Sequence, residues 1–194
     1  KIPKDLGHIF KNHNITRFNV NTNRVRKKVL FLSGCVQPAM LPNINASTFS
    51  VLSKCGIECL TVPTTTCCGA IKSHLNDKDG SILQVKQNID SWWPFIKSNS
   101  IKSIVINASG CSLEVKKYHE LFPESSSYYQ KAKKISSITI DLSEILPELV
   151  DTIKQFLPQR KRKKLAFHPP CSLQHGQGIT GLIEGVFKQL GFEI

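Results

Sequence analysis

Two adjacent cysteines, Cys67 and Cys68, stand directly before Gly69 at the end of an apolar stretch. Neighbouring cysteines bond to each other only through a strained ring, because consecutive α-carbons are closer than a disulfide prefers. Cys35 and Cys111 each follow a glycine and an apolar stretch in a similar way. Thiolates are metal ligands, nucleophiles and redox partners, so this pattern predicts metal or iron–sulfur ligation, nucleophilic catalysis or thiol exchange.

Each of these chemistries needs different neighbours. A cysteine nucleophile needs a base within reach, and His74 and His168 stand close in sequence to Cys68 and Cys171. Such an enzyme uses only one activated thiol, however, and a thioredoxin-like site would need a C-x-x-C motif, which the sequence lacks. Ligation of a metal or cluster needs several converging thiolates and glycines that let the backbone come close, and this sequence offers both.

The segments around these cysteines alternate between strands and helices. Short apolar runs ended by glycine or proline predict buried strands, and apolar residues recurring every three or four positions predict helices. Strands are predicted at 29–35, 59–63, 101–111, the start of 138–146, and 163–171. Helices are predicted at 43–54, 79–97, 113–121 and 178–190, and a further helix is expected to begin with Ser143 as its cap. This alternation favours an α/β fold, with a doubly wound, mostly parallel sheet and helices on both faces.

The predicted sheet determines where the thiols lie. In an open α/β sheet, the loops at the carboxyl ends of the strands form the functional crevice. Cys35 follows the first predicted strand, Cys67 and Cys68 the second, Cys111 the third, and Cys171 a later one. We therefore expect these thiols at one edge of the sheet.

Composition narrows the class of protein. A chain of 194 residues with 40% hydrophobic content can bury a domain, and it contains no apolar stretch long enough to span a membrane. Seven cysteines without a recognisable export signal favour free thiols or ligands over disulfides. Cys55 and Cys59, which flank the entry to the second strand, are expected to pack as small buried side chains. We expect a cytoplasmic protein, either free or peripheral on the inner face of the plasma membrane.

The net charge of +12 suggests an anionic partner. The basic residues, however, lie in short runs before or between the predicted elements, around 24–28, 131–134 and 160–164. No aromatic residues interleave with these runs as they do in proteins that stack nucleic-acid bases. We therefore expect solvated loops and no nucleic-acid partner.

Five strings of the sequence together resemble one family. They are GCVQPAMLPNINAST, CCGAIKSHL, NIDSWWP, ASGC and AFHPPCSLQHGQ. The chain resembles the cysteine-rich CCG domain family, which includes the cysteine-rich component of heterodisulfide reductase, and in particular the iron–sulfur subunits of glycolate oxidase. The resemblance implies a linker at 1–27, a first CCG domain at 28–143 and the truncated start of a second, homologous CCG domain at 144–194.

The resemblance also implies a function. It implies an iron–sulfur electron-transfer subunit that carries a 4Fe-4S-type cluster and relays electrons from a flavoprotein partner, which oxidises glycolate to glyoxylate. The site residues it implies are Cys35, Cys67, Cys68, Cys111, Gly69, Cys171 as the opening cysteine of the second half, and His74 as a non-thiol contributor. A zinc-stabilised structural module and a thiol/disulfide oxidoreductase remain alternatives, because an all-cysteine site does not distinguish zinc from a cluster.

Overall fold

A five-stranded sheet forms the centre of the computed structural model, which describes residues 16–17, 27–158 and 164–194. The order across the sheet is β1-β3-β2-β4-β5, with β2 to β5 parallel and β1 antiparallel to β3. The strands are β1 (Thr16–Arg17), β2 (Lys27–Phe31), β3 (Ile57–Thr61), β4 (Ile104–Ile106) and β5 (Thr139–Asp141). Nearly all of the predicted linker at 1–27, and the basic residues at 24, 26 and 160–163, lie outside the described residues.

Helices connect the strands and continue to the end of the chain. They are α1 (Gln37–Met40), α2 (Pro42–Lys54), α3 (Ala70–His74), α4 (Lys78–Lys97), α5 (Ser109–Lys116), α6 (Tyr129–Ile138), α7 (Leu142–Phe156) and α8 (Leu182–Gln189). A 3₁₀ turn at Tyr118–Leu121 follows α5, and a π-helical turn at Ser172–Gly176 precedes α8.

The helices cover both faces of the parallel part of the sheet, so the central strands β2, β3 and β4 are buried on both sides. Leu30 packs in the core with side chains of α4 and α6. Its neighbours Val29 and Phe31 point to the opposite face, where they pack with α2 and α7. Two-sided burial explains why these strands read as continuous apolar runs rather than as alternating patterns.

The order of the strands creates a crevice. The chain leaves β2 through α2 to reach β3 on one side, and then crosses β2 through α3 and α4 to reach β4 on the other side. Connections that leave a central strand in opposite directions open a cleft at the carboxyl ends of the strands. The prediction of a doubly wound, mostly parallel α/β sheet is confirmed.

Two local predictions were wrong, and one helix was not predicted. Residues 164–170 form no strand, because Pro169 and Pro170 cannot donate to a ladder, and Leu165 N–H instead bonds to the Glu193 carbonyl at 2.8 Å. Helix α6 was not predicted at all, since only Ala132 and Ile135 of its residues are buried. The cap of α7 is Asp141 rather than Ser143.

Asp141 is the last residue of β5, and its side chain caps the N-terminus of α7. Its Oδ1 accepts from Ser143 N–H at 2.9 Å, while Glu144 Oε2 accepts from Asp141 N–H at 2.7 Å, which together form a capping box. Its Oδ2 accepts from Ser112 Oγ, a fully buried side chain in α5, at 2.7 Å. The carboxylate therefore ties α5 to the start of α7.

We predict that Asp141→Ala lowers the free energy of unfolding by about 2–4 kcal/mol, since it removes a helix cap and the shortest of the three hydrogen bonds of the buried Ser112 hydroxyl. Ser143→Ala should cost about 1 kcal/mol or less, because it removes one donor and keeps the cap. Urea unfolding followed by circular dichroism measures both. A cost for Ser143→Ala that equals or exceeds that of Asp141→Ala would contradict this assignment of the cap.

Candidate metal centre

Four cysteines from three neighbouring strand ends line one cavity of about 240 Å³. Cys35 follows β2, Cys67 and Cys68 follow β3, and Cys111 lies in the first turn of α5 after β4. Apart from the polar Gln37, the rest of the wall is small or apolar, and consists of Gly34, Val36, Ala70, Ile71, Ala108 and Gly110. The structure thus brings together four of the five thiols that the sequence placed at this edge.

The four sulfurs form two pairs across the cavity. Cys35 Sγ lies 3.3 Å from Cys67 Sγ, and the Cys68 thiol hydrogen-bonds to the sulfur of Cys111. Cys35 is exposed, whereas Cys68 is only 2% exposed. All seven cysteines of the chain are free thiols, in keeping with the expectation that they do not form a disulfide framework.

The pairs give the thiols different acidities. The hydrogen bond from Cys68 lowers the pKa of Cys111, and the same bond together with burial raises the pKa of Cys68. Burial and the neighbouring Cys67 thiol raise the pKa of Cys35 to about 11. The backbone N–H of Ala70 donates to the Cys68 sulfur, which favours its thiolate form. Of the sulfurs whose pKa is shifted, Cys111 alone is moved towards the thiolate.

Gly69 lets the cysteine pair approach helix α4. Its φ of +100° lies in the left-handed region, and a β-carbon at this position would lie 2.9 Å from Ser81 Oγ and 3.1 Å from Val85 Cγ2. Ser81 Oγ also donates to the Gly69 carbonyl at 3.0 Å. The glycine is therefore required by both backbone conformation and space.

Two buried side chains that the sequence did not single out contact the same loop. Asn88, on α4, donates to the carbonyl of Cys67, and Tyr118 donates to the carbonyl of Cys68. Burial raises the pKa of Tyr118 well above its usual value, so the hydroxyl keeps its proton and remains a donor. One feature of the sequence could have pointed to this contact: Asn88 is a polar residue on the apolar face of a predicted helix.

The two other predicted site residues do not line the cavity. His74 is exposed at the end of α3, where its charge acts on the half-buried Glu114. Cys171 is exposed directly before the π-helical turn, and the next residue, Ser172, shares a 2.6 Å hydroxyl contact with Ser109 at the start of α5. Roles for His74 and Cys171 stay predictions.

Cys55 and Cys59 lie away from the cavity. Cys59 is 2% exposed within β3 and packs against α2 and α7, and Cys55 is half-buried against the apolar cluster between α7 and α8. Both side chains pack in apolar surroundings, as expected.

The donor set consists of soft thiols alone, which zinc and iron–sulfur clusters both bind. Within residues 27–158 and 164–194, no three His, Cys, Asp or Glu side chains are grouped so as to hold one metal ion. A single zinc ion needs its four ligands about 2.0–2.3 Å from one point, whereas a cluster spreads its thiolate ligands around a larger core. The cavity of about 240 Å³ leaves room for such a core, and the Cys35 and Cys67 sulfurs, 3.3 Å apart, would have to separate to bind it.

Glycines at 176, 178 and 181 spell G-x-G-x-x-G just before α8, a spacing associated with dinucleotide binding. That motif needs a preceding strand, but residues 164–170 form none and the glycines follow a π-helical turn. A β-carbon on Gly176 would lie 2.4 Å from Leu113, so this glycine serves close packing against α5.

Two observations bear on the surroundings of the protein. The helices in the described part of the chain are too short or too polar to cross a membrane. Several lysines of the basic runs pair with acids, as Lys28 does with Glu58 at 3.3 Å and Lys131 with Asp90 at 3.7 Å. Such paired side chains favour solvated surfaces over a dedicated anion-binding patch.

The fold and the site define a cysteine-rich α/β domain whose thiols meet at the carboxyl edge of the sheet. Residues 29–116 match the family model of the CCG cysteine-rich domain, and this part of the chain is a CCG cysteine-rich domain. The matched segment contains Cys35, Cys67, Cys68 and Cys111, and ends before Cys171.

Curated proteins show the same likeness over more of the chain. The chain is 40% identical over 171 residues to the glycolate oxidase iron-sulfur subunit of Escherichia coli (strain K12), covering 88% of this chain and 41% of that protein. It is 27% identical to the probable glycolate oxidase iron-sulfur subunit of Bacillus subtilis (strain 168), over 82% of this chain and 35% of that protein. The chain is 25% identical to lactate utilization protein A 2 of Bacillus cereus (strain AH820), over 78% of this chain and 60% of that protein. The chain thus spans about two fifths of the first relative and a third of the second.

We predict that Gly69→Ala lowers the free energy of unfolding by about 1–3 kcal/mol, because alanine is strained at this φ and its β-carbon meets Ser81 and Val85. Gly185→Ala is the matched control, since Gly185 lies in α8 with open space around its β-carbon position. That change should be neutral or stabilising by about 0.5–1 kcal/mol. Equal unfolding free energies for the two variants would refute the close approach of α4.

The pKa of Cys35 predicts how fast this exposed thiol is alkylated. Because only the thiolate reacts, and the pKa is raised to about 11, its rate with iodoacetamide should rise about tenfold per pH unit above pH 7 and level off near pH 11. Peptide mass spectrometry of the metal-free chain measures the rate. In Cys67→Ala the plateau should move to lower pH, because the sulfur that accepts the hydrogen bond from the Cys35 thiol is removed. A wild-type plateau below pH 9 would contradict the described environment.

Proposed function

We propose that Cys35, Cys67, Cys68 and Cys111 bind an iron–sulfur cluster of 4Fe-4S type, and that the protein is an iron–sulfur subunit of a glycolate oxidase-type complex. The observation that carries the proposal is the convergence of four soft thiols from three strand ends on one cavity of about 240 Å³. The relatives named as glycolate oxidase iron-sulfur subunits support the choice of complex. When bound, such a cluster accepts and passes on single electrons.

The chain's own residues would perform four tasks at this site. The four sulfurs supply the ligands, and the Ala70 N–H donates to Cys68. Val36 and Ile71 give the cavity an apolar wall. Gly69 keeps the loop close to α4.

The partner in this proposal is a flavoprotein that oxidises glycolate to glyoxylate and delivers the electrons. His74, exposed beside the end of the CCG loop, is proposed as a non-thiol contributor. Residues 144–194 are proposed as the start of a second CCG domain, opened by Cys171. Seven free thiols support a reducing location, which we take to be the cytoplasm or the inner face of the plasma membrane.

One observation favours a second candidate function. The 3.3 Å contact between the Cys35 and Cys67 sulfurs suits a thiol/disulfide oxidoreductase, in which the two thiols would be oxidised together to a disulfide while a disulfide substrate is reduced to two thiols. The pKa of about 11 at Cys35 counts against this function, since it leaves little attacking thiolate near neutral pH.

Anaerobic purification followed by iron, acid-labile sulfide and visible absorption measurements tests the proposal. We expect brown protein containing iron and sulfide, and loss of most of both in single Cys→Ser variants at 35, 67, 68 and 111. Cys55→Ser and Cys59→Ala should retain them, because those side chains pack away from the cavity. Colourless protein with zinc and no sulfide, or iron retained in the four variants, would overturn the proposal.

A further inference from the structure

Asn88 is a fully buried amide that contacts the loop before the cysteine pair on two sides. Its Oδ1 accepts from the backbone N–H of Thr66 at 2.7 Å, and its Nδ2 donates to the carbonyl of Cys67 at 2.9 Å. One side chain therefore holds both a donor and an acceptor of the same stretch of backbone. Because a buried amide left without partners is costly, these bonds fix the loop against α4.

Tyr118 extends this contact to the next peptide group. Asn88 Nδ2 also donates to Tyr118 Oη at 3.2 Å, and Tyr118 Oη donates to the carbonyl of Cys68 at 2.8 Å. Tyr118, like Asn88, is 0% exposed. The carbonyls of Cys67 and Cys68 are thus both held on the buried side of the loop by one connected pair of side chains.

The orientation of these carbonyls also sets the direction of two N–H groups. In a trans peptide the C=O and the following N–H point in opposite directions, and the described residues contain no cis peptide. The N–H of Cys68 therefore points away from Asn88, and the N–H of Gly69 points away from Tyr118. Both N–H groups therefore lie on the side of the loop opposite these two side chains, and the next N–H, that of Ala70, donates to the sulfur of Cys68, which lines the cavity.

We propose that Asn88, acting together with Tyr118, is a positioning residue that orients the Cys67 and Cys68 thiols and turns the peptide N–H groups of the loop towards whatever these thiols bind. The inference rests on the proposed function for the identity of the bound group. N–H groups directed at ligand sulfurs stabilise the more negative state of a cluster and so set its reduction potential. Asn88 and Tyr118 do not line the cavity, so they act through the backbone.

The test compares Tyr118→Phe and Asn88→Leu with Thr139→Val in the full chain. Tyr118→Phe removes one hydroxyl and keeps the ring in the core. Asn88→Leu removes the hydrogen bonds of the Asn88 side chain to the Thr66 N–H and to the Cys67 carbonyl. Thr139 is a matched control, since it is 4% exposed and its hydroxyl donates to the Ile135 carbonyl at 2.8 Å, at the start of β5 and outside the cavity. Thermal unfolding of all three reports how much stability each change removes.

Two readouts separate positioning from stability. In the iron-containing chain, we expect Tyr118→Phe to keep its iron and sulfide but to shift the reduction midpoint potential and the electron paramagnetic resonance spectrum. In the metal-free chain, we expect both Tyr118→Phe and Asn88→Leu to raise the alkylation rate of the buried Cys68 thiol by about tenfold, because the loop loses a buried hydrogen bond. Thr139→Val should change neither readout, even if its melting temperature falls as much as that of Tyr118→Phe.

The outcomes distinguish this inference from the proposed function. Wild-type potential, spectrum and alkylation rate in Tyr118→Phe would overturn the positioning role, whether or not Asn88→Leu folds. The same shifts in Thr139→Val would also overturn it, because they would then follow from lost stability alone. Wild-type protein without iron and sulfide would overturn the proposed function, and the alkylation rates would still decide whether Asn88 and Tyr118 position the thiols.

Discussion

The central position of β2, between β3 and β4 and parallel to both, is the constraint on which the site depends. Because the chain leaves β2 in one direction and later crosses it in the other, three strand ends open into one crevice. Cys35, the Cys67–Cys68 pair and Cys111 each stand just beyond one of these ends. Residues separated by tens of positions in sequence thereby become neighbours without a long structured loop.

The thiols converge on this crevice, and the loops that carry them determine how each sulfur is oriented. Gly69 adopts a left-handed conformation that brings its loop against α4, and the buried donors of Ser81, Asn88 and Tyr118 take up the loop's carbonyls. With the carbonyls bonded on the buried side, we propose that the opposite side presents sulfur atoms and N–H groups. A site of this kind is suited to anionic sulfur-rich groups, since its dipoles are fixed before anything binds.

Much of the fold could be predicted from the sequence, because strands buried on both faces are visible as apolar runs such as 29–32 and 104–106. The glycines before Cys35 and Cys111 and after Cys68 marked the turns where the thiols emerge. The hydrogen-bond partners could not be predicted, since periodicity describes Asn88 and Tyr118 only as members of a buried face. Helix α6 was missed because its buried stripe consists of two residues, and the strand at 163–171 was wrong because its apolar residues precede two prolines without a partner strand.

An anomalous difference map, collected at the iron absorption edge from crystals of the anaerobically purified chain, tests most directly the claim that these four thiols form one metal centre. Our account predicts a single strong peak inside the cavity, within bonding distance of the sulfurs of Cys35, Cys67, Cys68 and Cys111. An iron peak at Cys171 or His74 without one in the cavity, or a cavity whose peak appears only at the zinc edge, would contradict it.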